Sequence, residues 1–320
     1  LAMGLALAAN HAKADYKVYT VVGDGECQEG LVWEAAMAAA HYKLDNFIVM
    51  LDYNKLQIDG NNDEVMGLGN ITEKFRAFGF ECFEVDGHNI KEMCETMELA
   101  KESNDPVFIH VITKKGKGYT KAEEKPNIFH GIGPFDMESG KPIKNSDKPS
   151  YSGIFARKLT DLASKDSRIV AVSAAMMEGT GLDSFHDTFP GRAFDVGIAE
   201  GHAVTFAAGL AKAGLKPFVA IYSTFMQRAY DQIIEDVCLQ NLQVVLCIDR
   251  AGIVGADGET YHGIFDLSYR KHMPNMVIMA PNDGGETALM MEFAYSYDGP
   301  CVNRSQMGTA SQTKKKKNID

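Results

Sequence analysis

The sequence predicts an α/β protein made of two open, mostly parallel-sheet domains, and three observations carry that expectation. Asn46-Phe47-Ile48-Val49-Met50-Leu51 is almost wholly apolar, as a strand buried on both faces of a parallel sheet must be. An earlier β-rich run, Tyr16 to Val22, connects to it through the alanine-rich, breaker-free stretch Leu31 to His41. Such a strand–helix–strand crossover places both strands in one sheet. The alternation then occurs a second time, after a stretch from Lys114 to Ser150 rich in Lys, Gly, Pro and Asp.

The elements follow in order. Leu1 to Ala9 is apolar with no basic residue before it, so it reads as the middle of a helix whose preceding chain is absent, not as a secretory leader. After the first β-α-β unit come a helix from Ile71 to Ala77, a strand from Glu81 to Val85, a helix from Ile90 to Lys101 and a strand from Pro106 to Thr113. The second run begins with a helix from Gly153 to Ser164 and strands Arg168 to Ser173 and Ala193 to Val196. A helix from Gly201 to Ala213, a strand from Lys216 to Ile221 and a helix from Met226 to Val237 continue it. Strand Val244 to Asp249, helix Ile264 to Tyr269 and strand Val277 to Ala280 complete it. The expected boundaries are a first domain over 1–115, a linker carrying functional loops over 116–150, a second domain over 151–308 and a lysine-rich tail over 309–320. The run Lys314 to Lys317 reads as solvated tail.

Composition narrows the function. At 320 residues the chain exceeds what one core usually supports. Thirty-two basic against 43 acidic side chains give a net charge of −11, which disfavours a nucleic-acid partner. An anionic ligand therefore needs a metal or locally placed cations. No run approaches the roughly 18–20 apolar residues of a membrane span, so a membrane partner is not expected. Six cysteines without a CxxC pair suggest reduced thiols in a cytoplasmic protein.

The chemistry concentrates at strand ends, where open α/β sheets bind ligands. Gly23-Asp24-Gly25 stops the first strand, and Asp52 and Asn54 follow the next one. Glycines at 23 and 25 let backbone approach a ligand closely. One carboxylate, one amide oxygen and a backbone carbonyl form an oxygen-only, low-charge set. Mg²⁺ suits such a set, because it completes its octahedron with phosphate and water.

The residues around these positions resemble a known family. Gly23-Asp24-Gly25-Glu26-Cys27-Gln28-Glu29-Gly30, Trp33-Glu34-Ala35-Ala36 and Asp52-Tyr53-Asn54-Lys55-Leu56-Gln57-Ile58-Asp59-Gly60 resemble the thiamine-diphosphate enzymes of transketolase type. The resemblance implies the thiamine-diphosphate-binding fold and a cofactor of thiamine diphosphate with Mg²⁺. It implies Asp24, Asn54 and the carbonyl of Leu56 as metal ligands, and Gly23 and Gly25 against the diphosphate. Glu29 would join a carboxylate network between active sites.

The second half is more specific. Ile198-Ala199-Glu200, Tyr222-Ser223-Thr224-Phe225-Met226-Gln227-Arg228, Ile248-Asp249-Arg250-Ala251-Gly252, Gly255-Ala256-Asp257-Gly258 and Phe265-Asp266-Leu267-Ser268 are similar to 1-deoxy-D-xylulose-5-phosphate synthases. By that resemblance Glu200 contacts the aminopyrimidine and assists removal of the cofactor's C2 proton, while Phe225 stacks on the ring with Arg228 nearby. His130 would handle protons near the reacting carbon. Tyr222, Arg250 and Asp257 would take the acceptor and its phosphate. The implied reaction joins pyruvate, with loss of CO₂, to glyceraldehyde 3-phosphate. The implied partners are these small molecules and either a second copy or a complementary subunit.

Three positions depart from the synthase pattern: Gly201 stands where glutamine is usual, Tyr261 where a histidine is usual, and Met307 where a second arginine is usual. The last exchange removes a charge-assisted phosphate contact. The resemblance further implies an N-terminal stretch and a third, C-terminal α/β domain outside this chain. Two other readings stay open: a transketolase moving a two-carbon ketol unit between sugar phosphates, and a fragment or partner subunit inactive alone.

Overall fold

The computed structural model describes residues 1–57, 60–61, 66–143 and 149–310. Residues 58–59 of the Asp52–Gly60 segment and the lysine run at 314–317 lie outside them. The chain divides into two compact units, Leu1–Lys144 and Asn145–Asp320.

In the first unit, strand β1 (Val18–Gly23) runs parallel to β2 (Phe47–Tyr53). A two-residue ribbon, β3 (Leu56–Gln57) with β4 (Gly60–Asn61), follows, then β5 (Glu81–Asp86) and β6 (Val107–Ile112). The sheet order is β1-β2-β6-β5, parallel throughout. Alternate side chains divide between two cores, as the pleat requires. Phe47, Val49, Leu51 and Phe108 join the cluster under helices Gly30–His41 and Ile71–Phe78, while Ile48, Val107, Ile109 and Val111 fill the other face. Phe75 stacks on Phe108 at 4.0 Å between centroids and meets Trp33 at 5.4 Å. Each buried aromatic of this size stabilises the fold by about 1.5–3 kcal/mol. Asn70 and Asn89 cap the helices Ile71–Phe78 and Ile90–Glu102 by accepting from the backbone of Glu73 and Glu92. Beyond β6 the unit continues through the short helices Thr120–Glu124 and Pro126–Phe129.

The second unit opens with helix Tyr151–Ala163, whose cap is the Ser150 hydroxyl. Its six strands are β7 (Ile169–Ser173), β8 (Ala193–Asp195), β9 (Lys216–Tyr222), β10 (Val245–Ala251), β11 (Val277–Met279) and β12 (Cys301–Gln306). They form a parallel sheet in the order β11-β12-β10-β9-β7-β8. All five residues of β7 are buried, and so are all of β9 after Lys216. Helix Glu200–Lys212 is rich in small residues and packs Ala203, Val204, Ala207 and Ala208 into the same core.

The structure departs from the sequence pattern at several elements, beginning with helix Gly284–Ser296 and strand β12, which the sequence reading did not include. The segment expected as one helix from Met226 to Val237 is a 3₁₀ turn at Phe225–Ala229, one α-turn at Tyr230–Gln232 and a π-helix at Ile233–Cys238. The widened turn lets Val237 and Cys238, adjacent in sequence, both face the core with Ile233. The helix expected over Ile264–Tyr269 is instead Asp266–Arg270, because Ile264 and Phe265 are exposed while Asp266 and Arg270 are buried as a pair.

Candidate cofactor and metal site

In the first unit, the registered pair Gly23 and Asp52 brings the ends of β1 and β2 side by side. Asp24, 1% exposed, continues from Gly23 and ties both ends together. Its Oδ1 accepts from the Gly25 amide at 2.8 Å and its Oδ2 from the Lys55 amide at 2.5 Å. That bond spans 31 residues. Lys55 has φ +62, a left-handed turn between β2 and β3. The Asn54 amide nitrogen donates to Asp52 Oδ2 at 3.3 Å, so nitrogen rather than oxygen is engaged there, as a cation ligand requires. The Thr113 hydroxyl donates to Asp52 Oδ1. The Lys55 amide that Asp24 holds lies between Asn54 and Leu56 in the chain. No group of three His, Cys, Asp or Glu among the described residues forms a metal cage of its own. A single buried carboxylate with amide and carbonyl oxygens fits Mg²⁺ that shares its shell with a diphosphate.

Lys115 completes this half, and sequence patterns did not single it out. Its Nζ lies at hydrogen-bond distance, 2.7 Å, from His130 Nδ1. Burial lowers the Lys115 pKa, and the charges of Asp24 and Asp52 oppose that. The available signal was the Thr113–Gly118 run, whose Gly116 has φ +77 and would press a Cβ to 2.7 Å from Ala122. The loop is fixed by Tyr119, whose hydroxyl donates to the Met137 carbonyl at 2.8 Å and whose ring packs edge-on with Phe129.

In the second unit, Glu200 begins helix Glu200–Lys212 and is 3% exposed. The Arg228 Nε lies 3.6 Å from its Oε2, with the Arg228 side chain half-exposed. Phe225 opens the 3₁₀ turn that carries Arg228, and it packs against Tyr222 at 5.8 Å and Tyr261 at 5.2 Å. A Cβ on Gly201 would stand 3.4 Å from the Gln232 Oε1, so the Gln232 amide fills the space beside Glu200 that a longer residue at 201 would enter. Further along, the Arg250 guanidinium lies 4.0 Å from the Tyr222 ring centroid and donates to Asp257 Oδ2 at 2.8 Å. Tyr222 in turn lies over Gly179, where a Cβ would fall 1.7 Å from its hydroxyl oxygen. His262, next to Tyr261, accepts the Val254 amide on Nδ1 at 3.2 Å and so braces the loop below β10. Met307 is exposed at 44%. The structure therefore pairs Glu200 with Arg228, sets Phe225 against Tyr222 and Tyr261, and joins Tyr222, Arg250 and Asp257.

With this geometry described, the class follows. Residues 5–139 match the family description "Transketolase, thiamine diphosphate binding domain", and residues 147–307 match "Transketolase, pyrimidine binding domain". The chain belongs to the transketolase family, whose cofactors are thiamine diphosphate and Mg²⁺. Within it, the chain is similar to 1-deoxy-D-xylulose-5-phosphate synthase 2 of Geobacter sulfurreducens, 43% identical over 354 residues, covering 96% of this chain and 56% of the relative. It is 42% identical over 366 residues to the 1-deoxy-D-xylulose-5-phosphate synthase of Desulfotalea psychrophila, covering 100% and 56%. That alignment is about 46 positions longer than the 320 residues of this chain, so the relative has inserted residues within the matched span. The chain spans about half the length of the curated relatives it matches. Among solved structures, the transketolase of Campylobacter jejuni aligns with TM-score 0.50 at 22% identity, covering 99% of this chain and 62% of that one, a likeness of fold.

Proposed function

We propose that this chain carries the cofactor-binding portion of a thiamine-diphosphate-dependent transferase of the 1-deoxy-D-xylulose-5-phosphate synthase type. The overall reaction would be pyruvate plus glyceraldehyde 3-phosphate giving 1-deoxy-D-xylulose 5-phosphate and CO₂. The observation that carries the reading is the buried Asp24 carboxylate, which joins two neighbouring strand ends by accepting the Lys55 amide. The identity of 42–43% to synthases, extending through both units, supports the reaction.

Thiamine diphosphate, when bound, would supply a nucleophilic C2 and a cationic ring that accepts electron density from the donor carbon. The residues of this chain supply the rest. Asp24, Asn54 and the Leu56 carbonyl would hold Mg²⁺, with Gly23 and Gly25 leaving room for the diphosphate. Lys115 would add a cation to the same anion and keep the His130 ring oriented for proton transfer. Glu200, buried at a helix start and held by Arg228, would hold a proton against the pyrimidine nitrogen. Phe225 would offer its face to the pyrimidine ring. Tyr222, Arg250 and Asp257 would receive the acceptor and its phosphate. The proposal includes a homodimer or a complementary subunit, with the cofactor held within one subunit or across a dimer. It also includes a cytoplasmic location, supported by six free thiols and by the finding that no described helix is long and apolar enough to cross a membrane.

Calorimetric titration of thiamine diphosphate with Mg²⁺ tests this reading. Saturable binding lost in Asp24→Ala is expected, with Glu200→Ala weakening it. CO₂ release from pyruvate would then separate the synthase from a transketolase, which the Gly23–Gly30 segment favours. Absence of binding at millimolar cofactor would leave a partner subunit, inactive alone, as the surviving reading. Tyr261 and Met307 favour that alternative.

A further inference from the structure

β10 carries an irregularity directly before Arg250. Its pairing with β12 runs Cys247 with Asn303 and Ile248 with Arg304, then resumes at Ala251 with Gln306. Two residues, Asp249 and Arg250, thus oppose the single residue Ser305, which is a β-bulge, a device that re-aims a side chain. Arg250 takes φ +54, a conformation that costs about 1 kcal/mol or more in a non-glycine residue. Something must hold it there. The Asp249 carboxylate, 6% exposed, accepts from the Arg250 amide on Oδ1 at 2.7 Å and from the Ser152 hydroxyl on Oδ2 at 2.6 Å. Its own carbonyl accepts the Ser223 amide at 2.7 Å, next to Tyr222. The small cavity around the carboxylate is lined by Ser152, Phe155, Thr180, Asn303 and Ser305 among others, and no lysine or arginine lines it. Neutral hydrogen bonds therefore hold Asp249 in that cavity.

We propose that Asp249, braced by Ser152, is a positioning residue that fixes the bulge and so presents the Arg250 guanidinium over Tyr222 and onto Asp257. The consequence for substrate rests on the proposed function, in which Arg250 receives the acceptor's phosphate. The role is geometric, so it needs the two hydrogen bonds and not the charge. An asparagine at 249 can accept from the Arg250 amide and donate to the Ser152 oxygen. An alanine can do neither.

Crystal structures and a binding cycle test this. In Asp249→Ala and in the milder Ser152→Ala, Arg250 is expected to leave the left-handed region and its guanidinium to leave the Tyr222 ring. Asp249→Asn is expected to keep both. Titration of the full chain with glyceraldehyde 3-phosphate, beside unphosphorylated glyceraldehyde, reads the consequence. The Kd of the phosphorylated aldehyde should rise about tenfold in Asp249→Ala and stay within about twofold of wild type in Asp249→Asn. In an Arg250→Ala background Asp249→Ala should add nothing. An Arg250 that keeps φ near +54 over Tyr222 without Ser152 or the carboxylate overturns the proposal, and so do additive effects in the cycle. Should Asp249→Ala fail to fold, Ser152→Ala carries the same decision. Arg250 displaced in the crystals while the wild type binds no phosphorylated aldehyde would uphold the positioning role and remove Arg250 from the phosphate site.

Discussion

Asp24 and Asp249 are both buried carboxylates; Asp24 spends both oxygens on backbone amides, Asp249 one on an amide and one on the Ser152 hydroxyl. They differ in what the burial does. Desolvation raises the Asp249 pKa above its ordinary 3.8, with the bonds from Ser152 and Arg250 pulling the other way. A carboxyl raised on folding binds more protons in the native state. Its contribution to stability is full below 3.8 and is lost as pH rises through the folded value. Asp249→Asn should remove that loss, so its thermal midpoint should decline less than the wild type's between about pH 4 and pH 7. A steeper decline in the variant would mean that hydrogen bonding to the charged form dominates. Asp24 and Glu200 could be singled out from sequence because each lies inside a short run with a recognisable order of neighbours. Lys115 and Asp249 lie in such runs too, but the runs assign them no role. What marks them is contact with residues far along the chain: His130 for the first, Ser152 at a separation of 97 for the second.

At the level of elements, most strands were legible because burial on both faces leaves little room for anything but apolar residues, whereas β12, with Asn303, Arg304 and Ser305, was not. The run Phe47–Leu51 became the centre of β2 on that ground alone. Helix starts were legible where a cap precedes a periodic stretch. Ser150 accepts from Gly153 at the head of helix Tyr151–Ala163, which buries Tyr151, Phe155, Leu159 and Leu162. Ser150→Ala should therefore cost about 1 kcal/mol, read as a lower urea midpoint with an unchanged m-value. The segment after β9 was not legible in the same way. Its apolar positions suit an α-helix from Met226 to Val237, and only the need to bury Val237 and Cys238 together selects the wider turn. That need arises from the neighbouring core, which includes Met226 and Ile233, and leaves no mark in a local window.

For the whole molecule, each unit has its own sheet and its own cores, and each carries one part of the proposed site. If the cofactor joins them across two copies, sedimentation of the 35.0 kDa chain should show a doubled mass that Mg²⁺ and thiamine diphosphate strengthen. A monomer with full cofactor affinity would place both parts within one copy. The six free cysteines have a practical consequence for such work. Burial pushes the thiols of Cys27 and Cys301 up to about 12 and those of Cys82 and Cys238 up to about 11, and it raises Cys247 as well. A protonated, enclosed sulfur is a poor nucleophile. Cys94 alone is exposed, on the helix Ile90–Glu102. A maleimide dye would enter the folded protein at that one position, giving a fluorescent handle on the first unit without any engineered cysteine.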